Sequence, residues 1–248
     1  CETVVKEKAD LGVSVDPDVD RLALICEDGK PFGEEYTLVS VADYLLGRAY
    51  NEALESGKSL DEVCAPYRMT TASNLSSSRA LRDVTEKFGG EYFAAAVGEV
   101  NVTTKMKECG ALIGGEGNGG VIYPALHYGR DAMVGVALFL TNLAHKQMKV
   151  SQLLKTYPQY VITKNRIDLS DKALIDKILS EMQKIYANEN VNTIDGVKIS
   201  FEDKKQWVHL RRSNTEPIIR IYAEAATKEE ADALANEVIG IAQKIIGQ

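Results

Sequence analysis

The sequence predicts an α/β layer domain with a mixed sheet, followed by a smaller α+β domain and preceded by the tail of another α/β domain. Strand-like and helix-like segments alternate from Tyr36 onwards, which is typical of an α/β layer. After about residue 160 the order changes to a charged helix, short hairpin strands and a terminal helix. The 248 residues are 45% apolar, so they can bury a sizeable core, and their number favours two domains over one.

The first elements flank an acidic turn. Apolar runs at 11–15 and 22–25 predict two strands. From Tyr36, apolar residues recur at three- and four-residue spacings and predict an amphipathic helix that ends near Gly47. The next elements, each predicted from its apolar pattern, are strands at 63–67, 92–97 and 111–113, helices at 77–87 and 131–146, and a helical turn near Lys105.

The last third of the chain has a different pattern. A charged helix at about 171–187 precedes an Asp195–Gly196 turn between short strands, further strands around Trp207 and Ile218, and a helix that begins near Lys228. We therefore predict domains at residues 1–30, 31–160 and 161–248. Because the chain starts at Cys1 and little sequence precedes the acidic turn, we expect the first of these domains to be truncated.

Composition limits the kinds of partner. A net charge of -7 argues against nucleic acid or an anionic membrane surface as the main ligand, although a local basic pocket remains compatible with it. No run approaches the roughly 18 apolar residues of a spanning helix. The four cysteines show neither metal-ligand spacing nor a disulfide-dense pattern, so we expect buried free thiols and a reducing cytoplasm.

The acidic turn Asp16–Arg21 carries the strongest chemical signal. Asp16, Asp18 and Asp20 alternate, and alternate residues of an extended backbone project the same way, so the three carboxylates can converge on one hard cation such as Mg²⁺. An EF-hand is an alternative, with Glu27 at its last position, but Arg21 stands where its glycine should be. A solvated acidic turn is the other alternative, although three crowded carboxylates repel one another without a counter-ion.

A second loop, residues 114–120, contains five glycines and follows a predicted strand. Glycine lets the backbone approach a ligand closely. Glu116 offers carboxylate oxygens and Asn118 an amide donor and acceptor, which suits the vicinal hydroxyls of a sugar. The loop lacks the Gly-Lys-Ser/Thr of a Walker motif. A flexible turn without a ligand is the alternative.

A third loop, residues 211–217, joins two strand-like segments and is rich in arginine, hydroxyl and amide groups. Arginine presents a rigid fork to phosphate oxygens, and Ser213, Thr215 and backbone N–H groups can complete a cradle around them. This predicts a local phosphate pocket. The alternative is a turn capped by Ser213 and Thr215 beside a surface pair, Arg211 and Arg212.

Together and in this order, the three loops resemble those of the α-D-phosphohexomutase family, over essentially the whole chain. In that family four domains surround a cleft, and the resemblance implies that this chain holds the end of the second domain, then the third and fourth. It further implies that the parent enzyme interconverts a hexose 6-phosphate and 1-phosphate through a phosphoserine and a bisphosphate intermediate. Its partners would be the phosphorylated sugar and the missing N-terminal domains of the same polypeptide.

The resemblance also implies roles for the matching residues. Three aspartates would coordinate Mg²⁺, an arginine would face the phosphoryl group in transfer, and the two later loops would bind sugar hydroxyls and the idle phosphate. The metal ligands would be Asp16, Asp18 and Asp20, and the arginine would be Arg21. The sugar hydroxyls would be bound by Glu116 and Asn118, and the idle phosphate by Arg211, Ser213, Asn214 and Thr215. Arg220 would neighbour the phosphate, and Glu99 matches another substrate-facing loop loosely.

Several departures from the family pattern bear on function. Pro17 and Val19 replace the usual glycines of the metal loop, and the sugar loop ends Asn118-Gly119-Gly120 rather than Ser-Gly-His, which leaves the choice among hexoses open while favouring glucosamine phosphate. The Thr-Ala-Ser-His-Asn-Pro loop with the family's nucleophile is absent, so we expect this chain alone to be inactive. A non-catalytic sugar-phosphate binding module is the competing function.

A short imitation of that nucleophile loop occurs at Thr71-Ala72-Ser73-Asn74. It lies after the metal loop rather than before it, and Leu75 follows it. We therefore expect Ser73 to be a helix-capping or turn residue. The three histidines, His127, His145 and His209, fall outside the three loops and are expected to be structural.

Overall fold

The computed structural model describes residues 1–169, 172–213 and 216–247, with Lys172 described by its backbone alone. The chain forms two compact units, residues 1–158 and 159–248. The first combines a mixed four-stranded sheet with helices, and the second is an antiparallel sheet with helices. The predicted α/β class, with an α+β C-terminal part, is therefore confirmed.

The sheet of the first unit has the strand order β4-β3-β5-β6. Strand β3 pairs in parallel with β4 and β5, and β6 returns antiparallel to β5, so the sheet is mixed as predicted. The parallel pairs bring the carboxyl ends of three strands to one edge, where ligands bind in many α/β folds. The strands are β3 (Arg68–Asn74), β4 (Glu91–Ala95), β5 (Ala111–Glu116) and β6 (Gly120–Ile122).

Helices of several lengths connect and accompany these strands. The longest, α2, packs against α4 and α6, and α5 packs on β5 and β3. Asp131 caps the N-terminus of α6 by accepting hydrogen bonds from the amides of Met133 and Val134. The helices of this unit are α1 (Glu2–Glu7), α2 (Glu34–Ser56), α3 (Leu60–Cys64), α4 (Ala80–Lys87), α5 (Glu99–Cys109), α6 (Ala132–Lys146) and α7 (Val150–Leu154).

A hairpin of β1 (Leu11–Val15) and β2 (Leu22–Cys26) carries the acidic turn and packs on this unit. Leu22, Leu24 and Cys26 are buried at alternate positions of β2, as the period of a half-buried strand requires. Burying a leucine side chain stabilises a fold by roughly 1.5–3 kcal/mol. The amide of Leu22 also donates to the carbonyl of Gly119, 3.1 Å away, which joins the hairpin to the glycine-rich loop.

The second unit is built on an antiparallel sheet of order β7-β11-β10-β9-β8. Alternate residues of the central strands, such as Leu210 and Ile219, form a core with buried residues of the two helices, such as Ile178 and Val238. The elements are β7 (Val161–Asp168), α8 (Lys172–Ile185), β8 (Asn190–Asn192), β9 (Val197–Phe201), β10 (Gln206–Arg212), β11 (Ile218–Ala225) and α9 (Lys228–Ile246).

The prediction of a strand at 63–67 is wrong. Ser59 and Glu62 form a capping box that starts α3, and the strand begins only at Arg68. The Ser59 hydroxyl accepts from the amide of Glu62, and the Glu62 carboxylate accepts from the amide of Ser59. These reciprocal hydrogen bonds satisfy helix-terminal donors, so the local signal for a helix outweighs the short apolar run Val63–Cys64.

Two further predictions from the sequence are wrong in part. Ser73 is neither a cap nor a turn residue, because it is fully buried in the central strand β3 and its hydroxyl lies 2.9 Å from the Tyr92 hydroxyl. Helix α2 does not end near Gly47 but continues to Ser56. A side chain at Gly47 would come within 3.2 Å of the Phe88 ring, so this glycine reflects close packing against α4 rather than a helix end.

The expectation of buried free thiols is confirmed for three of the four cysteines. Cys26, Cys64 and Cys109 are buried free thiols, whereas Cys1 is exposed, contrary to the expectation for that residue. Across the residues the structure describes, every helix is too short or too polar to span a bilayer.

His209 in β10 makes the stability of the second unit sensitive to pH. Burial lowers the pKa of His209 to about 4 from its usual 6.5, while its Nε2 lies 2.6 Å from the carbonyl oxygen of Asp195. Between these two values the unfolded chain binds more protons than the folded one, so the stabilisation is complete above pH 6.5 and decreases as the pH falls towards 4. The maximal loss is roughly 3 kcal/mol.

We therefore expect His209→Gln to flatten the decline in unfolding free energy between pH 6.5 and 4, because glutamine can donate to Asp195 without titrating. Urea unfolding followed by the fluorescence of Trp207, the single tryptophan, measures this. The control is the range well above pH 6.5, where His209 is neutral in the folded and the unfolded chain and the two slopes should agree. Equal slopes between pH 6.5 and 4 for the unaltered chain and His209→Gln would contradict the assignment.

Candidate functional site

The acidic turn lies between β1 and β2, but its backbone is not extended as predicted. Residues 17–19 form a turn, and Val19 has a left-handed φ of 58°. The turn nevertheless brings the carboxylates together, since one oxygen from each of Asp16, Asp18 and Asp20 lies within 4.8 Å of the others. Convergence therefore arises from the turn rather than from strand alternation.

Asp16 closes the turn through its carboxylate. Its Oδ1 accepts from the backbone amides of Asp20, at 3.2 Å, and Arg21, at 3.1 Å, and its Oδ2 accepts from Arg21 Nε at 2.7 Å. Partial desolvation alone would raise the pKa of Asp16, but the hydrogen bonds from Arg21 outweigh it and lower that pKa to about 2. The Asp16 carboxylate is therefore charged at neutral pH, as a ligand of a hard cation must be.

The two carboxylate oxygens of Asp20 differ in their hydrogen bonding. Oδ2 accepts a hydrogen bond from Arg130 Nη2, whereas Oδ1 is buried and has no hydrogen-bond donor among the described residues. Arg21 Nε lies 3.5 Å from Oδ1, too far for a normal hydrogen bond. A buried carboxylate oxygen without a donor is costly unless something else supplies positive charge, so this atom fits a metal ligand.

Arg130, which sequence analysis did not identify, connects the acidic turn to the sheet. Its side chain is 19% exposed and reaches Asp20 with Nη2 and Glu116 Oε2 with Nη1, the latter at 2.6 Å. Its Nε lies 3.4 Å from Glu99 Oε2, and its backbone amide donates to Glu99 Oε1 at 3.0 Å. One guanidinium thus contacts three carboxylates from three segments of the chain.

Glu116 ends β5 and is buried, with 4% of its surface exposed. Besides Arg130, its carboxylate accepts from Asn74 Nδ2 at 2.8 Å and from the Gly98 amide at 3.2 Å, both at Oε1. Asn74 ends β3 and Gly98 follows β4, so the carboxyl ends of three neighbouring parallel strands meet at this carboxylate. Glu116 therefore organises the strand ends in this conformation.

Asn118 lies in the glycine-rich loop beside the acidic turn. Its Oδ1 accepts from the Gly120 amide at 3.1 Å, and its side chain lines an open cleft of about 330 Å³ together with Asp16, Arg21 and Glu34. The hairpin and this loop approach so closely that a side chain on Gly119 would lie 2.1 Å from the Leu22 carbonyl oxygen, and Gly119 has a φ of 84°. Glycine is required there.

The EF-hand alternative is excluded by the structure. Strand β2, not a helix, follows the acidic turn. The Glu27 carboxylate, which would complete an EF-hand, instead accepts from the amide and hydroxyl of Ser151, at 3.1 and 2.5 Å.

A larger cleft of about 640 Å³ lies elsewhere in the first unit, between α2 and α6. Asp43 is the buried acid in its wall, and Lys87 and Lys146 lie 3.4 and 3.1 Å from its carboxylate oxygens. These lysines already balance its charge. The cleft beside the acidic turn is smaller but is lined by Asp16 and Arg21. The neighbouring Asp20 has an oxygen without a hydrogen-bond donor among the described residues, so we take this region as the candidate site.

The predicted phosphate loop belongs to the second unit. Arg211 is half-buried, and its Nε is a buried donor without an acceptor within the part of the chain that is described. Ser213 is buried, with its amide donating to the Ile218 carbonyl at 3.1 Å. Asn214 and Thr215 lie outside the described residues.

Strand register places further arginines beside Arg211. Arg220 on β11 is directly opposite Arg211 on β10, and Arg166 on β7 is directly opposite Arg220. Directly opposite residues point to the same face of a sheet with their Cβ atoms about 5 Å apart. Glu216 lies 3.6 Å from Arg220 and Asp168 lies 3.6 Å from Arg166. This arginine row, Arg166, Arg220 and Arg211, is a concentration of positive charge on an acidic protein.

The structure thus brings together the predicted residues Asp16, Asp18, Asp20, Arg21 and Asn118, with Glu116 joined to Asp20 through Arg130. Sequence analysis missed Arg130, Asn74 and Arg166. The signal for Arg130 was weak, since it is a single arginine between a glycine and the Asp131 helix cap. Arg166 could have been found only by predicting β7 and its register.

Comparison with known proteins connects these features to a family. Residues 38–160 match the model for "Phosphoglucomutase/phosphomannomutase, alpha/beta/alpha domain III", and residues 166–241 match that for the C-terminal domain of the same family. A probable phosphoglucosamine mutase of Methanopyrus kandleri is 31% identical over 98% of this chain and 50% of its own length. A phosphoglucosamine/phosphogalactosamine mutase of Sulfurisphaera tokodaii is 32% identical over 96% of this chain and 49% of its own.

Solved structures show the same fold. A crystal structure of a phosphoglucomutase/phosphomannomutase family protein from Burkholderia thailandensis has a TM-score of 0.77 at 23% identity and covers 98% of this chain and 48% of its own. An Aspergillus fumigatus N-acetylphosphoglucosamine mutase, crystallised with GlcNAc-6P and magnesium, has a TM-score of 0.68 at 16% identity over 94% of this chain and 48% of its own.

The chain spans about half the length of these relatives. Two consecutive family models cover most of its residues, which confirms the predicted family, and the acidic turn lies before both matched ranges. The acidic turn, the strand-end carboxylate and the arginine row therefore lie in a chain that belongs to the phosphoglucomutase/phosphomannomutase family.

Proposed function

We propose that this chain contributes the metal, sugar and idle-phosphate sites of an enzyme that interconverts hexose 6-phosphate and 1-phosphate. The buried Asp20 Oδ1 carries the proposal, because it lies in a cluster of three carboxylates that lacks a hydrogen-bond donor for it within the described residues. The names of the relatives support a mutase and favour glucosamine phosphate over other hexose phosphates. The phosphoserine, the N-terminal domains and a cytoplasmic location are part of the same proposal.

Mg²⁺ is the proposed cofactor, with Asp16, Asp18 and Asp20 as its protein ligands. Carboxylate oxygens suit this hard cation, and the three oxygens within 4.8 Å of one another fit it. When bound, Mg²⁺ supplies positive charge that stabilises a phosphoryl group in transfer. Arg21 supplies further positive charge, since Asp16 fixes its Nε while about half of its side chain, 49%, remains exposed to a ligand.

For the sugar we propose a direct contact from Asn118 and an indirect role for Glu116. Asn118 lines the cleft, and because its Oδ1 is held by Gly120 its amide nitrogen can donate to a hydroxyl. Glu116 is buried beneath Arg130, so a direct bond to a sugar hydroxyl requires Arg130 to move. In the present conformation Glu116 positions Arg130 and the Gly98 segment.

For the idle phosphate we propose the arginine row and the loop that follows β10. Arg211 Nε is a buried donor with no acceptor in the described chain, and Arg220 and Arg166 add positive charge on the same face. A phosphate dianion would relieve the repulsion among these guanidinium groups and accept their hydrogen bonds. Ser213, Asn214 and Thr215 remain predicted members of this site from the sequence.

The metal site is tested by Asp18→Asn. Asp18 is exposed, so the substitution should leave folding intact while removing one ligand charge, and we expect Mn²⁺ affinity to fall by roughly tenfold or more. Electron paramagnetic resonance of free Mn²⁺ during titration measures the affinity. Asp28→Asn is the matched control, because Asp28 lies beyond the hairpin and pairs with Lys30. Unchanged affinity in Asp18→Asn, or an equal loss in Asp28→Asn, would contradict the assignment.

The phosphate site is tested by Arg211→Met. Hydrogen bonds to charged groups contribute about 1.5–3 kcal/mol, so we expect glucosamine 6-phosphate to bind at least roughly tenfold more weakly. Phosphorus NMR of the sugar phosphate during titration measures this.

Arg212→Met is the control for this experiment. Arg212 is the next residue on β10, points to the opposite face and contacts Asp176 at 2.6 Å. Equal affinities for Arg211→Met and the unaltered chain would refute the phosphate assignment. The same spectra should show no 1-phosphate, since the phosphoserine loop of the family does not occur in this sequence.

A further inference from the structure

Arg130 determines which oxygen of Asp20 is available. Its Nη2 holds Asp20 Oδ2, while its Nη1 is anchored on Glu116 Oε2 at 2.6 Å and its Nε lies 3.4 Å from Glu99 Oε2. The side chains of Arg130 and Asp20 are 19% and 18% exposed, so little water competes for these contacts. Asp20 therefore cannot rotate without breaking a contact that is fixed from two other segments.

As a result, the acidic turn offers Asp20 as a ligand through Oδ1 alone. Oδ1 is buried and lacks a hydrogen-bond donor among the described residues, whereas Oδ2 is occupied. Asp16 is restrained at both oxygens, because Arg21 Nε donates to Oδ2 at 2.7 Å and the backbone amides of Asp20 and Arg21 donate to Oδ1. The guanidinium groups thus limit how many oxygens these two aspartates present to a cation.

The number of carboxylate oxygens distinguishes the two common hard cations. Ca²⁺ accepts six to eight oxygens at roughly 2.3–2.6 Å and readily takes both oxygens of one carboxylate, whereas Mg²⁺ requires near-octahedral ligands at about 2.0–2.1 Å. A carboxylate with one oxygen held by a guanidinium cannot bind a cation through both. Selectivity therefore depends on what holds the second oxygen.

We propose that Arg130 is a positioning residue that sets the cation preference of the acidic turn: by holding Asp20 Oδ2 it enforces single-oxygen ligation and favours Mg²⁺ over Ca²⁺. The inference rests on the proposed magnesium site. It assigns to Arg130 a role in selectivity that is distinct from its contacts with Glu99 and Glu116.

The test compares the affinity ratio of two cations rather than one affinity. Removing Arg130 takes one positive charge from the site, and the more negative net charge strengthens binding of both divalent ions to a similar extent. That electrostatic effect largely cancels in the ratio of Ca²⁺ to Mg²⁺ affinity. The change in the number of available oxygens does not cancel.

In the experiment, Mn²⁺ bound to the chain is displaced by Mg²⁺ and, separately, by Ca²⁺, and free Mn²⁺ is followed by electron paramagnetic resonance. We expect Arg130→Met to shift the Ca²⁺-to-Mg²⁺ affinity ratio roughly tenfold towards Ca²⁺, within the range of effects seen for residues that hold metal ligands. Arg82→Met is the control, because Arg82 is also ion-paired, with Glu86 at 2.7 Å, but lies on α4.

Two further variants keep the test informative if Arg130→Met does not fold. Arg130→Lys keeps the charge but loses the fork that reaches Asp20 and Glu116 together, so it should shift the ratio in the same direction. Glu116 is none of the three proposed ligands, but Glu116→Gln weakens the ion pair that anchors Arg130, so we expect a smaller shift of the affinity ratio towards Ca²⁺. In the double variant with Arg130→Met, Glu116→Gln should not change the Ca²⁺-to-Mg²⁺ affinity ratio further.

The outcomes separate the selectivity role from the site itself. An unchanged ratio in folded Arg130 variants that still bind Mn²⁺ would overturn the role of Arg130 and leave the metal site standing. Failure of the unaltered chain to bind Mn²⁺ would overturn the proposed metal site and, with it, this inference.

Discussion

The three contacts of Arg130 hold the candidate site together. Asp20 belongs to a hairpin turn, Glu99 to the start of α5 and Glu116 to the end of β5, and one guanidinium binds all three carboxylates. Without Arg130, Asp20 would keep only the more distant Arg21, 3.5 Å away, and Glu116 would be a buried carboxylate without a cationic partner among the described residues. Removing one partner of a buried ion pair typically costs roughly 3–5 kcal/mol, because the other charge stays buried alone. The geometry of the site is therefore coupled to the stability of the fold around it.

The sheet explains why these acids can meet. Parallel pairing of β3 with β4 and β5 places Asn74, Gly98 and Glu116 at one edge, where Glu116 Oε1 accepts from the other two. The hairpin is held against that edge by burial of Leu22 and by the hydrogen bond that the Leu22 amide donates to the Gly119 carbonyl. The backbone thus determines where the acids lie, and Arg130 helps to orient the carboxylates of Asp20, Glu99 and Glu116.

The sequence predicted what depends on short-range patterns. The α/β class, most helices and the convergence of Asp16, Asp18 and Asp20 follow from periodicity and spacing, although a turn rather than an extended strand brings the aspartates together. The prediction for Ser73 was wrong because the residues around it are typical of a loop. They form a strand that is buried by neighbours distant in sequence.

The contacts of Arg130 were outside the reach of such patterns. It lies 110 residues from Asp20 and 31 from Glu99, and neither separation leaves a trace in local periodicity. The arginine row has the same origin, because it exists only in the register of β7, β11 and β10. Residues that act through long-range contacts require the fold before their role can be inferred.

The most direct measurement of the central claim is an anomalous difference map from crystals of this chain soaked in Mn²⁺. The account predicts one peak bound by single oxygens of Asp16, Asp18 and Asp20, with Arg130 still bound to Asp20 Oδ2. A peak remote from the acidic turn, or one bound by both oxygens of Asp20 with Arg130 displaced, would contradict it.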